Sequence, residues 1–226
     1  MPQSDFLRSL LTVERRLKRA TEELGRTRVL AEQNDMGGAF GAAFAFEAEV
    51  EKLALLARTL PAYTGHPNAL AMTDALLAET LPIEMGYTEH GWFCLRLPAL
   101  LPKKGSGSPI YIQQALYPAM RRFFDGKAPV SFSDCVLIYQ HIYDESRPER
   151  AYRDHDNIEL NMVTDIIALY LLPDDAPLRC AHFYCSAAGQ ADCTEVYVVH
   201  KEQFPTWLYA AKHGRLKGVT LYETQP

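Results

Sequence analysis

Acidic side chains flank one apolar segment of this sequence, and their spacing suits the binding of a divalent metal ion. The stretch reads YRDHDNIELNMVTDIIALYLLPDD, with Asp154 and Asp156 before the apolar run and Asp174 and Asp175 after it. If the first pair lies in an extended segment, side chains two residues apart project from the same side, so both carboxylates can contact one Mg²⁺ or Mn²⁺. A third carboxylate would complete a site that polarises a phosphoryl oxygen and activates a bound water. The alternative is a solvated acidic loop at a helix end.

Regular elements must position these carboxylates. Polar residues recur every three or four positions between residues 157 and 172, and the other positions are apolar, which predicts a largely buried helix with one narrow polar face. Asn157 either caps this helix or adds an amide oxygen to the metal site. The segment 133–144 predicts a strand before the motif, and 179–187 and 193–200 predict two strands after it. The glycine-containing loop between the last two strands predicts a hairpin.

The N-terminal part of the chain has a different character. Apolar residues recur at helical spacing through residues 1–60, with an interruption at 34–41, and this predicts a helical hairpin arm. Residues 61–85 predict a linker with a short helix, and 86–226 predict an α+β domain in which a small sheet packs on a central helix. The arm either packs or dimerises through its apolar stripe, or uses its basic residues to contact nucleic acid.

Composition and charge narrow the functional classes. The 226 residues carry a net charge of −5, which argues against a protein that simply coats nucleic acid. No apolar run is long enough to span a membrane, and the N-terminus lacks a secretory signal, so we expect a cytoplasmic protein. The five cysteines are odd in number and form no C-x-x-C pair, which indicates reduced thiols. A zinc site would need ligands from Cys180, Cys185, Cys193, His182 and His200, whose spacing is poor, so buried core cysteines are the expected outcome.

The order of D-x-D-N, apolar helix, D-D and two strands resembles the RusA family of Holliday junction resolvases over roughly residues 86–200. The resemblance implies that Asp154, Asp156 and Asp175 are the catalytic metal ligands, with Asn157 and Asp174 in support. It also implies a magnesium- or manganese-dependent endonuclease that acts on branched DNA as a homodimer in recombination. The layout of the whole chain also resembles uncharacterised proteins of bacterial mobile elements.

One position departs from the family pattern. The family has a lysine four residues after the second motif aspartate, and this chain has Leu160 there. Loss of a cation beside three carboxylates removes a stabiliser of the transition-state phosphate, worth about 3 kcal/mol in such sites. Lys103, Lys104, Lys127 or Arg153 could replace it in space. Two functions therefore stay open, an active nuclease and a catalytically inactive, DNA-associated or protein-binding accessory module.

Two histidines lie close to this motif in sequence or in the predicted strand before it. His141 falls on an apolar strand, where we expect a buried imidazole with satisfied hydrogen bonds. His155 lies between the motif aspartates and should point away from them if that segment is extended.

Overall fold

The computed structural model describes residues 2–104, 108–128, 130–146, 152–174 and 176–225, and the chain divides into two compact units. The first unit runs to Leu76 and includes the segment that ends at Tyr111, whereas the second comprises Leu77–Lys104 and the chain from Ile112 onward. The described residues form an α+β fold that begins with a helical hairpin, which confirms the predicted fold class. Every helix in these ranges is too short or too polar to cross a lipid bilayer.

The hairpin of the first unit consists of α1 (Pro2–Glu32) and α2 (Met36–Thr59). The predicted interruption at 34–41 is much shorter, because Asp35 caps α2 by accepting a 2.9 Å hydrogen bond from the backbone N–H of Gly38. Small buried residues line the contact between the helices, and a 2.7 Å ion pair joins Arg16 to Glu49. The hydrogen bond from Arg16 holds the pKa of Glu49 below its ordinary value. Pro61 lies in the 3₁₀ turn that follows α2, where its ring prevents the α-helix from continuing.

The remaining elements follow in the order expected from the sequence. They are α3 (Ala69–Thr80), β1 (Glu84–Tyr87), β2 (Phe93–Leu97), α4 (Ser108–Phe124), β3 (Cys135–Asp144), α5 (Asn161–Leu171), β4 (Cys180–Gly189), β5 (Cys193–His200) and α6 (Phe204–Lys212). The 86–98 segment is a two-stranded hairpin with β1 and β2 antiparallel. α4 continues through Pro118 as one helix.

The five strands form one mixed sheet in the order β1-β2-β5-β3-β4. The prediction that β4 and β5 form a hairpin is wrong, since β3 lies between them, parallel to β4 and antiparallel to β5. The connection from β4 to β5 passes over the end of β3. Two hydrogen bonds hold it there, from the N–H of Glu145 to the carbonyl of Gly189 and from the N–H of Asp144 to the carboxylate of Asp192.

Helices cover both faces of the sheet. On one face, α4 and α5 pack through Leu116, Met120 and Val163 against alternate strand residues such as Leu137 and Val196. On the other face, Trp207 of α6 packs against the remaining positions of β3 and β5. Successive side chains of the buried strands therefore pack into two different hydrophobic cores, one on each face of the sheet. This explains why the strand sequences are almost continuously apolar.

The central helix is shorter than predicted. It begins at Asn161 rather than at 157, because residues 155–157 form one 3₁₀ turn and Ile158 forms a β-bridge with Lys103. Leu160 holds the N-cap position, without a side-chain cap, so Asn157 does not cap α5. The apolar residues at 158 and 160 are buried in the sheet core even though they lie outside the helix.

Candidate functional site

The D-x-D-N segment lies beyond the C-terminal end of β3, and Arg153 anchors its start. The backbone N–H of Arg153 donates to the hydroxyl oxygen of Tyr143 at 3.1 Å, and the guanidinium of Arg153 donates to the carbonyl of Leu101. The rings of Tyr143 and Tyr152 stack at 4.3 Å between centroids. These contacts fix the direction in which the chain enters the motif.

Asp154 and Asp156 do not lie in a continuous extended segment, contrary to the sequence expectation. Asp154 is extended, but it caps the 3₁₀ turn that contains Asp156, and the N–H of Asn157 donates to the Asp154 carbonyl at 3.0 Å. Since a 3₁₀ helix advances about 120° per residue, side chains two positions apart in such a turn diverge. Both aspartates are exposed, and neither carboxylate has an ion pair or a side-chain hydrogen bond to another described residue.

Asp174 lies at the other end of the same βαβ unit. Its carboxylate accepts a 3.2 Å hydrogen bond from the N–H of Ala176, whose carbonyl accepts from the N–H of Cys180, the first residue of β4. The D-x-D-N segment instead contacts Ser186, six residues further along β4, which corresponds to about 20 Å. α5 separates the two ends by about 16 Å. Asp174 is therefore not brought together with Asp154 and Asp156.

The carboxylates predicted as a metal site thus remain separated where they can be placed. Asp175, the third predicted ligand, lies outside the described residues. Within the described ranges, no three Asp, Glu, His or Cys side chains are grouped so that they could hold a metal ion. Asp154 and Asp156 can still contribute oxygen ligands to a magnesium ion that a substrate phosphate and water complete, because such ions often use only one or two protein carboxylates.

Two lysines lie next to the motif in space. Residues 102–104 pair antiparallel with residues 157–159, through hydrogen bonds of 2.9 Å from the N–H of Lys104 to the carbonyl of Asn157 and from the N–H of Glu159 to the carbonyl of Pro102. Lys103 and Lys104 are exposed. Leu160, at the family lysine position, is only 7% exposed and belongs to the hydrophobic core. Positive charge therefore reaches the motif from a segment more than fifty residues earlier in the chain.

The two histidines near the motif lie next to each other in the fold, and a serine hydroxyl lies beside one of them. The Nε2 atom of His155 lies 3.0 Å from the hydroxyl of Ser186, and its ring lies 5.7 Å from that of His141 between centroids. His141 is fully buried, and neither of its ring nitrogens has a hydrogen-bond partner among the described residues. The expectation of a satisfied core histidine is therefore wrong.

Burial, together with the nearby His155 and Arg153, lowers the pKa of His141 to about 4, so its imidazole is neutral at neutral pH. The grouping with Ser186 depends on the register in which His141 lies opposite Ser186 across the parallel β3–β4 pair. No local pattern encodes that register, because the two residues come from strands separated by α5.

A groove of about 510 Å³ runs beside β4 on the face that α5 covers. Its lining is more apolar than polar and consists of Asn161, Thr164, Asp165, Pro177, Cys180, Ala181 and His182. Behind it, the buried hydroxyl groups of Tyr139 and Thr164 form a 2.7 Å hydrogen bond. Burial raises the pKa of Tyr139, which keeps its hydroxyl protonated. The groove therefore presents hydrogen-bonding groups from α5 and β4, together with the carboxylate of Asp165.

The cysteines occupy structural positions. All five are free, and three of them, Cys94, Cys135 and Cys180, are buried. Burial raises the pKa of Cys185 to about 11, so it is a thiol at neutral pH. The three buried cysteines agree with the expectation of core cysteines.

Comparisons with known proteins identify a family but no activity. The profile of a family of unknown function, DUF6100, matches residues 2–225, which is nearly the whole chain. No curated protein and no solved structure matches it.

Proposed function

This chain belongs to the DUF6100 family, and we propose that its second unit is a RusA-like accessory module that binds the phosphate backbone of branched DNA without cleaving it. The observation that carries this proposal is the pairing of residues 102–104 with residues 157–159, which places Lys103 and Lys104 beside the D-x-D-N motif. Lysine side chains at such an edge attract phosphate and release condensed counterions when they bind it.

The neighbouring carboxylates do not prevent this contact if a divalent cation binds them. Asp154 and Asp156 are exposed and make no ion pair with a described residue, so their oxygens are available to Mg²⁺ or Mn²⁺. A bound cation inverts the local charge and can bridge the carboxylates to a phosphate oxygen. The proposed interface therefore combines two lysines with a cation-bridged acidic turn.

Two observations favour binding over cleavage. The carboxylate of Asp174 is held near the start of β4, whereas Asp154 and Asp156 lie near Ser186 at about 20 Å along that strand. Asp174 therefore cannot support a cation held by Asp154 and Asp156, because groups that contact one cation must lie within about 4 Å of each other. In addition, the buried Leu160 stands where the RusA pattern has a lysine, so this position supplies no cation.

A metal-dependent endonuclease is the second candidate, and the two exposed, unpaired carboxylates favour it. In that mechanism Asp154 and Asp156 would hold one Mg²⁺, which would polarise the phosphoryl oxygen and lower the pKa of an attacking water. Lys103 and Lys104 would stabilise the negative charge of the transition state in place of the lysine of the RusA pattern.

A DNA-binding assay with matched charge variants tests the proposal. Fluorescence anisotropy would be measured with labelled four-way junction, duplex and single-stranded DNA across a salt series, in Mg²⁺ and in EDTA. Replacement of Lys103 and Lys104 by alanine should weaken junction binding and reduce the slope of log K against log salt by about 1.8, or about 0.9 for each lost phosphate contact. The control variant replaces the exposed Lys212 and Lys217, which lie in and after α6, and should leave the slope unchanged.

The same samples, analysed on denaturing gels with Mg²⁺ or Mn²⁺, separate the two candidates. Cleavage that disappears in Asp156→Asn would establish the nuclease and retire the accessory module. Binding without cleavage would retain the accessory module. Absence of binding, or equal binding by both double-lysine variants, would refute the proposed interface.

A further inference from the structure

We propose that β4 pairs with β4 of a second copy of this chain, antiparallel across a two-fold axis, so that two five-stranded sheets become one. The inference rests on the backbone groups at the outer edge of the sheet and is independent of the proposed function. β4 is the terminal strand of the sheet, with β3 on its only paired side in the described structure.

Half of the residues of β4 direct their backbone N–H and C=O groups away from β3. The N–H of Cys135 donates to the carbonyl of Arg179, and the N–H of Glu145 donates to that of Gly189, so the odd-numbered residues of this strand bond to β3. The even-numbered residues point their N–H and C=O groups outward. Of these, the N–H of Cys180 is used by the carbonyl of Ala176. The groups of His182, Tyr184, Ser186 and Ala188 have no backbone partner among the described residues.

The two edges of the sheet, at β1 and at β4, differ in what covers them. The outer edge of β1 is covered by the C-terminal tail, since Tyr87 and Tyr222 exchange two backbone hydrogen bonds of 2.8 Å. β4 has ten residues in unbroken register with β3, and its sequence CAHFYCSAAG contains no charged residue and no proline. Natural sheets usually protect such edges with lysine, proline, a bulge or a covering segment. Among the described residues none of these devices protects β4, and such an edge is suited to strand addition.

Charge and symmetry favour a second copy as the occupant. The outward N–H and C=O groups of β4 can pair with another strand, and an antiparallel two-fold pairing centred on Tyr184 would place this neutral strand against an identical one, without like-charge repulsion. Tyr184 would face its own counterpart, and His182 would face Ser186. Three such pairs give about six interchain hydrogen bonds. The Tyr184 side chain is 37% exposed, so its ring is available for an aromatic contact across the axis.

Charge substitutions at the centre of the strand test the pairing. Light scattering on the full chain should give twice the 25.5 kDa chain mass for the natural sequence. Tyr184→Lys and Tyr184→Glu should each be monomeric, because like charges would oppose each other, whereas an equimolar mixture should restore the dimer. This rescue distinguishes lost pairing from misfolding. A matched control, Leu178→Lys, changes a residue that is 91% exposed just outside the strand and should remain dimeric.

Cross-linking gives a second readout. In the Tyr184-centred register the Cα atoms of the two Cys185 residues lie about 8 Å apart, so a short bismaleimide should join them at alkaline pH, where more of the half-buried thiol is ionised. Cys185→Ser should abolish this product and Cys193→Ser should preserve it. A monomeric natural protein would overturn the proposal. So would a dimer that persists in both Tyr184 variants, since its interface would then lie elsewhere, for example on the exposed apolar residues of the helical hairpin.

Discussion

Replacement of His141 by leucine should remove most of one acid-dependent component of stability. In the folded chain the pKa of His141 is lowered to about 4 by burial, followed by the charges of His155 and Arg153, against an ordinary value of 6.5. The unfolded chain therefore takes up the proton first as the pH falls. The stability that neutral His141 contributes is complete above pH 6.5 and is lost between pH 6.5 and about 4.

The size of this loss of stability follows from the pKa shift of His141. A difference of about 2.5 pKa units at about 1.36 kcal/mol per unit corresponds to about 3 kcal/mol of unfolding free energy. At neutral pH the leucine variant should be at least as stable as the natural protein. Leucine has a similar volume and removes two buried ring nitrogens that lack described partners, each of which costs about 1–3 kcal/mol when unpaired.

Urea denaturation at several pH values between about 7 and 4 measures this effect. Trp92 and Trp207, the only tryptophans, are both buried in the second unit, so their fluorescence reports the unfolding of the unit that contains His141. The natural protein should lose about 3 kcal/mol more than His141→Leu over this range. A control variant, His213→Leu at an exposed site after α6, should follow the natural protein. Parallel pH profiles for the natural protein and His141→Leu would refute the reasoning.

Two further substitutions test the packing of the sheet core and of the C-terminal tail on β1. Leu160→Lys restores the residue type of the RusA pattern and should lower the free energy of unfolding by about 3 kcal/mol or more, because Leu160 is 7% exposed in the sheet core. Thermal denaturation measures this loss. A change within about 0.5 kcal/mol would contradict the burial of Leu160. Gly86→Ala should release the C-terminal tail, since its new Cβ would lie 2.6 Å from the carbonyl oxygen of Tyr222. Limited proteolysis should then trim the tail, whereas Gly25→Ala, with open space around its Cβ, should keep it protected.

Local periodicity predicted most elements because it reflects burial directly. The apolar repeat of the N-terminal segment and the aromatic and branched residues of β3 identify their elements without long-range information. The start of α5 was placed four residues too early, since Ile158 and Leu160 continue the apolar pattern although they are buried from non-helical backbone. Burial alone does not distinguish these two backbone states.

The sheet order could not be predicted from adjacency in the sequence. A short loop after β4 normally indicates a hairpin, but here β3 is inserted between β4 and β5 because it pairs with both. The same long-range pairing places His141 opposite Ser186 and so creates the histidine grouping. The candidate site was therefore predictable in its residue types at Asp154 and Asp156, but its neighbours were not.

The placement of Lys103 and Lys104 changes how the missing family lysine is interpreted. A sequence pattern compares residues by position, so Leu160 indicates a lost cation. Phosphate responds to charge at a point in space, and the β-bridge between Lys103 and Ile158 brings two lysines to the same segment from a distant part of the chain. Leu160 can then serve the core while phosphate binding is kept. Cleavage also needs carboxylates that act together on one cation, and the supporting carboxylate, Asp174, lies at the opposite end of β4 from the D-x-D-N turn. For this reason we expect DNA binding to survive the departures from the RusA pattern better than catalysis.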